Sequence, residues 1–191
     1  MIQSNEFPIN ANDYFEYSNI ETLEIPFGTE VEPYFFHNFR FLRMISLAPL
    51  FLNFINKNEI NVVKIPEGVK EIPKGSFKEM YNLEYIEIPS LMEIIYENEF
   101  SDCININYVK YESKFLKFLK YFNMEYLTSI YIKYGEIDVK SDPFTNCINL
   151  KNIVIPDFYK TYEDYLFRNC KQLVLIKYLS GQEKDFRTRS S

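Results

Sequence analysis

The sequence predicts an α/β repeat solenoid. Short strands stack into a parallel sheet of about eight on the concave face of a right-handed coil, with short helical and loop segments on the convex side. Three observations predict it. An apolar-x-x-apolar-x-apolar block starts at Ile20, Leu42, Ile60, Leu83, Ile106, Leu127, Leu150 and Leu173. The successive spacings are 22, 18, 23, 23, 21, 23 and 23 residues, and a near-constant period of this length signals stacked structural units. A second block, Phe-x-x-Cys-x-x-Leu or a close variant, precedes the strands at a fixed offset, as in Phe100-x-x-Cys103-x-x-Ile106 and Phe144-x-x-Cys147-x-x-Leu150.

The elements follow in order. Tyr14-x-x-Tyr17-x-x-Ile20 reads as a half-repeat, so residues 1–19 are expected to form an amino-terminal cap. Each later block is a strand because its apolar residues alternate: Ile86 and Ile88 point to one face, Tyr85 and Glu87 to the other. One such strand cannot bury its apolar face alone, and parallel stacking of copies supplies the missing partner. The Pro after several strands lacks a donor and suits the first position past the ladder. The Phe-x-x-Cys-x-x-Leu segments have the spacing of a short helical or 3₁₀ turn pinned inward. Two units depart from the pattern: residues 48–59 shorten one turn, and 112–126 bring in Lys114-Phe115-Leu116-Lys117-Phe118-Leu119-Lys120-Tyr121-Phe122. The apolar positions 115, 118, 119 and 122 of that stretch form an amphipathic helical stripe, expected to pack on the convex side of the core; the other reading is a membrane-surface helix.

At this point the residues carry a resemblance. Val63-Lys64-Ile65-Pro66-Glu67-Gly68-Val69-Lys70-Glu71-Ile72-Pro73-Lys74-Gly75-Ser76-Phe77 resembles the BspA-type leucine-rich repeat, roughly I-x-I-P-x-x-V-x-x-I-x-x-x-A-F-x-x-C-x-x-L. The match runs from about Tyr14 to Tyr178; Ser76 stands where Ala is usual, while Glu99 and Leu166 depart from that position. The resemblance implies a single leucine-rich-repeat domain over 1–191, with repeats over 20–178 and a polar carboxy-terminal tail over 179–191. It also implies a non-enzymatic module that binds proteins, in a family associated with cell surfaces and adhesion.

Composition narrows the function classes. The chain has 191 residues, 47% of them hydrophobic and 25% charged, the proportions of a folded globular protein. Its net charge of −6 argues against a nucleic-acid partner, which requires clustered positive surface. No apolar run approaches the ~20 residues that span a bilayer. No basic and apolar leader is visible at Met1–Pro8, and Cys103, Cys147 and Cys170 form an odd set, so a reducing, cytoplasmic setting is expected; a fragment of a longer precursor would instead fit the cell surface.

Catalytic chemistry has little to work with. His37 is the only histidine, so no triad or relay can form, and no phosphate-binding glycine loop is present. The three cysteines are explained by the repeat as buried packing residues; a Cys147–Cys170 disulfide, or a metal site with Cys103, is the competing reading. The carboxylate pairs Glu97/Glu99 and Asp138/Asp142 fall on predicted convex loops and are expected to be solvated. We therefore expect no catalytic residues, no cofactor and no metal.

The working surface is expected on the outward strand positions. One column reads Glu24, Ser46, Lys64, Glu87, Lys110, Tyr131, Val154 and Lys177; the other reads Thr22, Met44, Val62, Tyr85, Tyr108, Ser129, Asn152 and Leu175. Tyr85, Tyr108 and Tyr131 fall in three consecutive coils, flanked by Lys64, Glu87 and Lys110, and form the candidate partner-binding patch, since Tyr combines large contact area with a polar tip. The first reading is a protein-interaction scaffold using this face. The second is a structural or array element, or a fragment of a longer adhesion protein, because no cap is evident after Tyr178. Leu173, Ile176 and Tyr178 are then expected to be exposed on an uncapped last coil, open to self-association or to a continuing repeat.

Overall fold

The computed structural model describes residues 20–113, 121–122, 124–134 and 143–185, without the side chains of Tyr34, His37, Asn38 and Glu163. The expected amino-terminal cap over 1–19, Lys114–Lys120 of the amphipathic stripe, and the Asp138/Asp142 pair lie outside the described residues.

All eight blocks become strands: β1 (Thr22–Glu24), β2 (Met44–Ser46), β3 (Val62–Lys64), β4 (Tyr85–Ile88), β5 (Tyr108–Tyr111), β6 (Ser129–Ile132), β7 (Asn152–Ile155) and β8 (Leu175–Tyr178). They stack in chain order as one open sheet, each parallel to the last. The register is set by the inward column. Leu23, Ile45, Val63, Ile86, Val109, Ile130, Ile153 and Ile176 are each 2% exposed or less, and they occupy equivalent places in the ladder. A one-residue slip would turn every one of them to water, and burying each contributes about 1.5–3 kcal/mol.

The returning segments form the predicted tight turns. The amide of Cys103 donates to Phe100 O at 3.1 Å, that of Cys147 to Phe144 O at 3.1 Å and that of Cys170 to Phe167 O at 3.0 Å. The phenylalanines stack between coils: Phe77 lies 4.9 Å from Phe100, Phe100 4.2 Å from Phe122, and Phe144 5.2 Å from Phe167. Asparagines just before the strand blocks reach back one coil, Asn82 to Asn58 O at 2.7 Å, Asn105 to Tyr81 O at 2.8 Å and Asn149 to Glu125 O at 2.9 Å. Their amides satisfy carbonyls that the turns leave open. Elsewhere the crossings are short 3₁₀ segments, Pro33–Asn38, Pro49–Phe54, Lys57–Glu59 and Asp157–Tyr162, and one short helix α1, Glu163–Leu166.

Two expectations are corrected. The last coil is covered: a ninth strand, β9 (Glu183–Asp185), folds back antiparallel on β8 within the segment read as a polar tail. Ile176 and Tyr178 are buried and Leu173 is half-buried, and the edge of β8 is paired with β9 instead of standing open. Glu99 is not solvated. It is 4% exposed and accepts the amides of Gly75 at 2.8 Å and Phe77 at 2.9 Å, fixing the preceding coil; Glu97 is exposed as expected.

Candidate functional site

The ladder builds the candidate face. Register places Val62, Tyr85, Tyr108 and Ser129 side by side, and beside them Lys64, Glu87, Lys110 and Tyr131. Four of the six proposed residues touch. The Tyr85 and Tyr108 rings meet edge-to-face with centroids 5.1 Å apart. The Tyr85 hydroxyl donates to Glu87 at 3.1 Å, and Lys110 donates to the other oxygen of the same carboxylate. Tyr131 is half-buried opposite Lys110, and Lys64 is exposed opposite Glu87, so these two flank the cluster through the register.

Two residues of the network escaped the sequence reading. Glu112, 11% exposed at its side chain, bridges Lys110 at 3.3 Å and Lys133 at 3.5 Å. Both continue the two-residue alternation past the last apolar strand position, and following that period two residues further finds them. The result is a continuous chain across the sheet: Tyr85, Glu87, Lys110, Glu112, Lys133.

The electrostatics favour the charged form of Lys110 and Lys133 and the protonated phenol of Tyr85 and Tyr108. Burial opposes the charge on Lys110, but its hydrogen bonds to Glu87 and Glu112 outweigh it and hold the ammonium above its ordinary range. Burial, then the neighbouring Glu87 carboxylate, pushes the Tyr85 phenol up; burial pushes Tyr108 up as well. Glu112 raises Lys133. A nucleophile or general base needs the opposite, a lysine or phenol lowered toward neutrality.

Elsewhere an open polar cleft of about 390 Å³ is lined by Asn53, Asn56, Lys57, Asn58, Lys78 and Glu79 among others. It sits beside the shortened turn. Lys57 donates to Ser76 O at 2.7 Å and Lys78 O at 3.3 Å, tying one coil to the next, and to Asn53 Oδ1 at 3.3 Å within its own crossing. Burial lowers its pKa.

The three cysteines are buried in the coil interior and form no disulfide. Burial, with Asp102 and Glu99 nearby, pushes the Cys103 thiol up to about 12. Among the described residues no three of His, Cys, Asp or Glu converge as metal ligands. His37 falls in the 3₁₀ segment Pro33–Asn38, its side chain outside the described residues. Phe122 of the amphipathic stripe is buried against Phe100. Among the described residues no helix is long and apolar enough to cross a membrane.

The coil period, inward strand column and Phe-x-x-Cys turns together match a known pattern. The BspA type leucine rich repeat region matches residues 50–174 in six copies. The chain belongs to the BspA-type leucine-rich-repeat family. As a BspA-type repeat protein it carries the family architecture beyond the matched segment, since β1 and β2 hold the same register over 22–46. A search of curated proteins finds no match. BspA-type repeats commonly mediate protein interactions and are typically non-enzymatic.

Proposed function

We propose that this BspA-type chain is a non-enzymatic scaffold that binds a protein partner on the outward face of its sheet, centred on Tyr85, Tyr108 and Tyr131 and flanked by Lys64, Glu87 and Lys110. The observation that carries the reading is the pre-set network from Tyr85 to Lys133 beside the edge-to-face tyrosine pair. Immobilising a long side chain on binding costs about 0.5–1.5 kcal/mol, and Glu87, Lys110 and Glu112 are already held by one another. Tyrosines so placed supply hot-spot area with little further ordering. The address belongs to the same proposal. An odd set of buried thiols fits the cytoplasm, whereas a surface-adhesion role would make these repeats part of a longer exported protein.

The test is crosslinked affinity capture from the source cell with three baits: wild type, the Tyr85/Tyr108/Tyr131→Ala variant, and a Tyr81→Ala variant on an exposed turn away from this face. A partner recovered by the first and third but lost by the second supports the proposal. Equal recovery of every partner by all three removes it.

A further inference from the structure

One row on the outward face of the sheet is apolar along part of its length. Through the register, Met44, Val62, Tyr85 and Tyr108 stand side by side on four consecutive strands. Thr22 precedes them on β1 and Ser129 follows on β6, so the row has polar ends. All four side chains are half-buried and keep surface open to water. An apolar patch with a polar rim is the form of a contact surface.

The charges beside the row set a polarity. On one flank Glu24 lies on β1, Lys64 on β3 and Glu87 on β4. Glu87 is taken up by Lys110 and by the Tyr85 hydroxyl, and Lys110 also by Glu112. Lys64 is exposed and, among the described residues, makes no ion pair. On the other flank Glu21, Arg43 and Glu84, all exposed, each stand one residue before β1, β2 and β4. Both flanks therefore put positive charge at β2–β3, between acidic residues on β1 and β4.

Spacing selects what fits along the row. Neighbouring strands lie ~4.8 Å apart, so three steps cover about 14 Å. Helical residues i, i+3, i+7 and i+10 share one face and rise about 15 Å. An extended chain presenting every second residue covers about 20 Å in the same three steps and runs ahead of the coils by one.

We propose that the partner segment on this face is an amphipathic α-helix lying along the coil stack, with its apolar stripe on Met44, Val62, Tyr85 and Tyr108 and an acidic residue at its Met44–Val62 end facing Lys64. The inference rests on partner binding at this face and names the chemistry of what binds.

Displayed peptides test it. Peptides of about 18 residues and helical composition carry Leu, Ile, Phe or Met at i, i+3, i+7 and i+10, with one Glu or one Lys at either end of the stripe; a matched set has a central Pro, which breaks the helix. The wild-type chain should select binders from the helical set alone, enriched in Glu at one end. Val62→Asp should weaken them about tenfold or more, since it sets an unpaired charge against the stripe. Lys64→Glu should weaken them about two- to fivefold, and exchanging the peptide's Glu for Lys should recover that loss. Lys64 is exposed, so this second variant keeps its fold whatever Val62→Asp does. No helical binder, equal selection of the Pro set, or binding indifferent to either variant overturns the proposal. Partners captured from the cell separate the two readings. Loss with Tyr85/Tyr108/Tyr131→Ala but not with Val62→Asp or Lys64→Glu keeps the binding face and removes the helix; equal recovery by every bait removes both.

Discussion

Replacing Glu99 separates what the family pattern tolerates from what this chain requires. The pattern favours a small residue there, yet Glu99 is buried and accepts two amides of the preceding coil, Gly75 and Phe77. Hydrogen bonds to a charged acceptor contribute about 1.5–3 kcal/mol each, and losing the acceptor leaves the buried Phe77 amide and the half-buried Gly75 amide unmatched. Removing the carboxylate also relieves its own burial, which offsets part of that loss. The expected net cost of Glu99→Ala is about 2–4 kcal/mol. Glu99→Gln keeps one acceptor and turns an NH₂ toward the other amide, so its cost is smaller, about 1.5–3 kcal/mol. With a urea dependence of about 2 kcal/mol per molar, Glu99→Ala moves the unfolding midpoint down by about 1–2 M. Exchange at the Gly75 and Phe77 amides should accelerate before the rest of the sheet. If Glu99→Ala unfolds within about 0.5 kcal/mol of wild type, the carboxylate is incidental and the argument from unmatched donors fails.

Stacking makes a second prediction. Phe100 contacts rings on both sides, Phe77 and Phe122, whereas Phe167 pairs with Phe144 and is more exposed. Buried Phe→Ala costs about 3–5 kcal/mol and each ring pair adds about 0.5–1.5 kcal/mol, so Phe100→Ala should exceed Phe167→Ala by about 1–2 kcal/mol in urea unfolding; equal costs would contradict nearest-neighbour stacking. Third, the Cys103 thiol is pushed from 9.0 up to about 12, so the unfolded chain ionises first as pH rises. Its contribution is therefore full below pH 9 and falls between about 9 and 12. Native Cys103 should resist a thiol reagent at pH 8 and react only on unfolding; prompt labelling would show it accessible.

The sheet was legible because its determinants are local and repeated. Ile86 and Ile88, read as inward from alternation alone, are fully buried, and all eight strand blocks lie in register. The parts that were not legible lack an apolar signature. Glu183-Lys184-Asp185 is charged throughout and lacks the apolar alternation of the other strands, so no side-chain pattern announces a strand. Glu99 reads as a surface charge until the three-dimensional step of one coil brings two amides beneath it. Of the network on that face, Tyr85, Glu87, Tyr108 and Lys110 follow from period two, while Glu112 and Lys133 lie past the last apolar residue that defined the block. Lys57 gave no signal either, since its carbonyl partners belong to the next coil.

The shortened turn carries a lesson for engineering. Leu42 and Ile60 are 18 residues apart, against 23 for most steps, yet β2 and β3 align residue for residue. Alignment in front is thus indifferent to path length behind. Foreign loops spliced into the rear crossings could give the molecule new surfaces, each added without renegotiating the strands that hold it together.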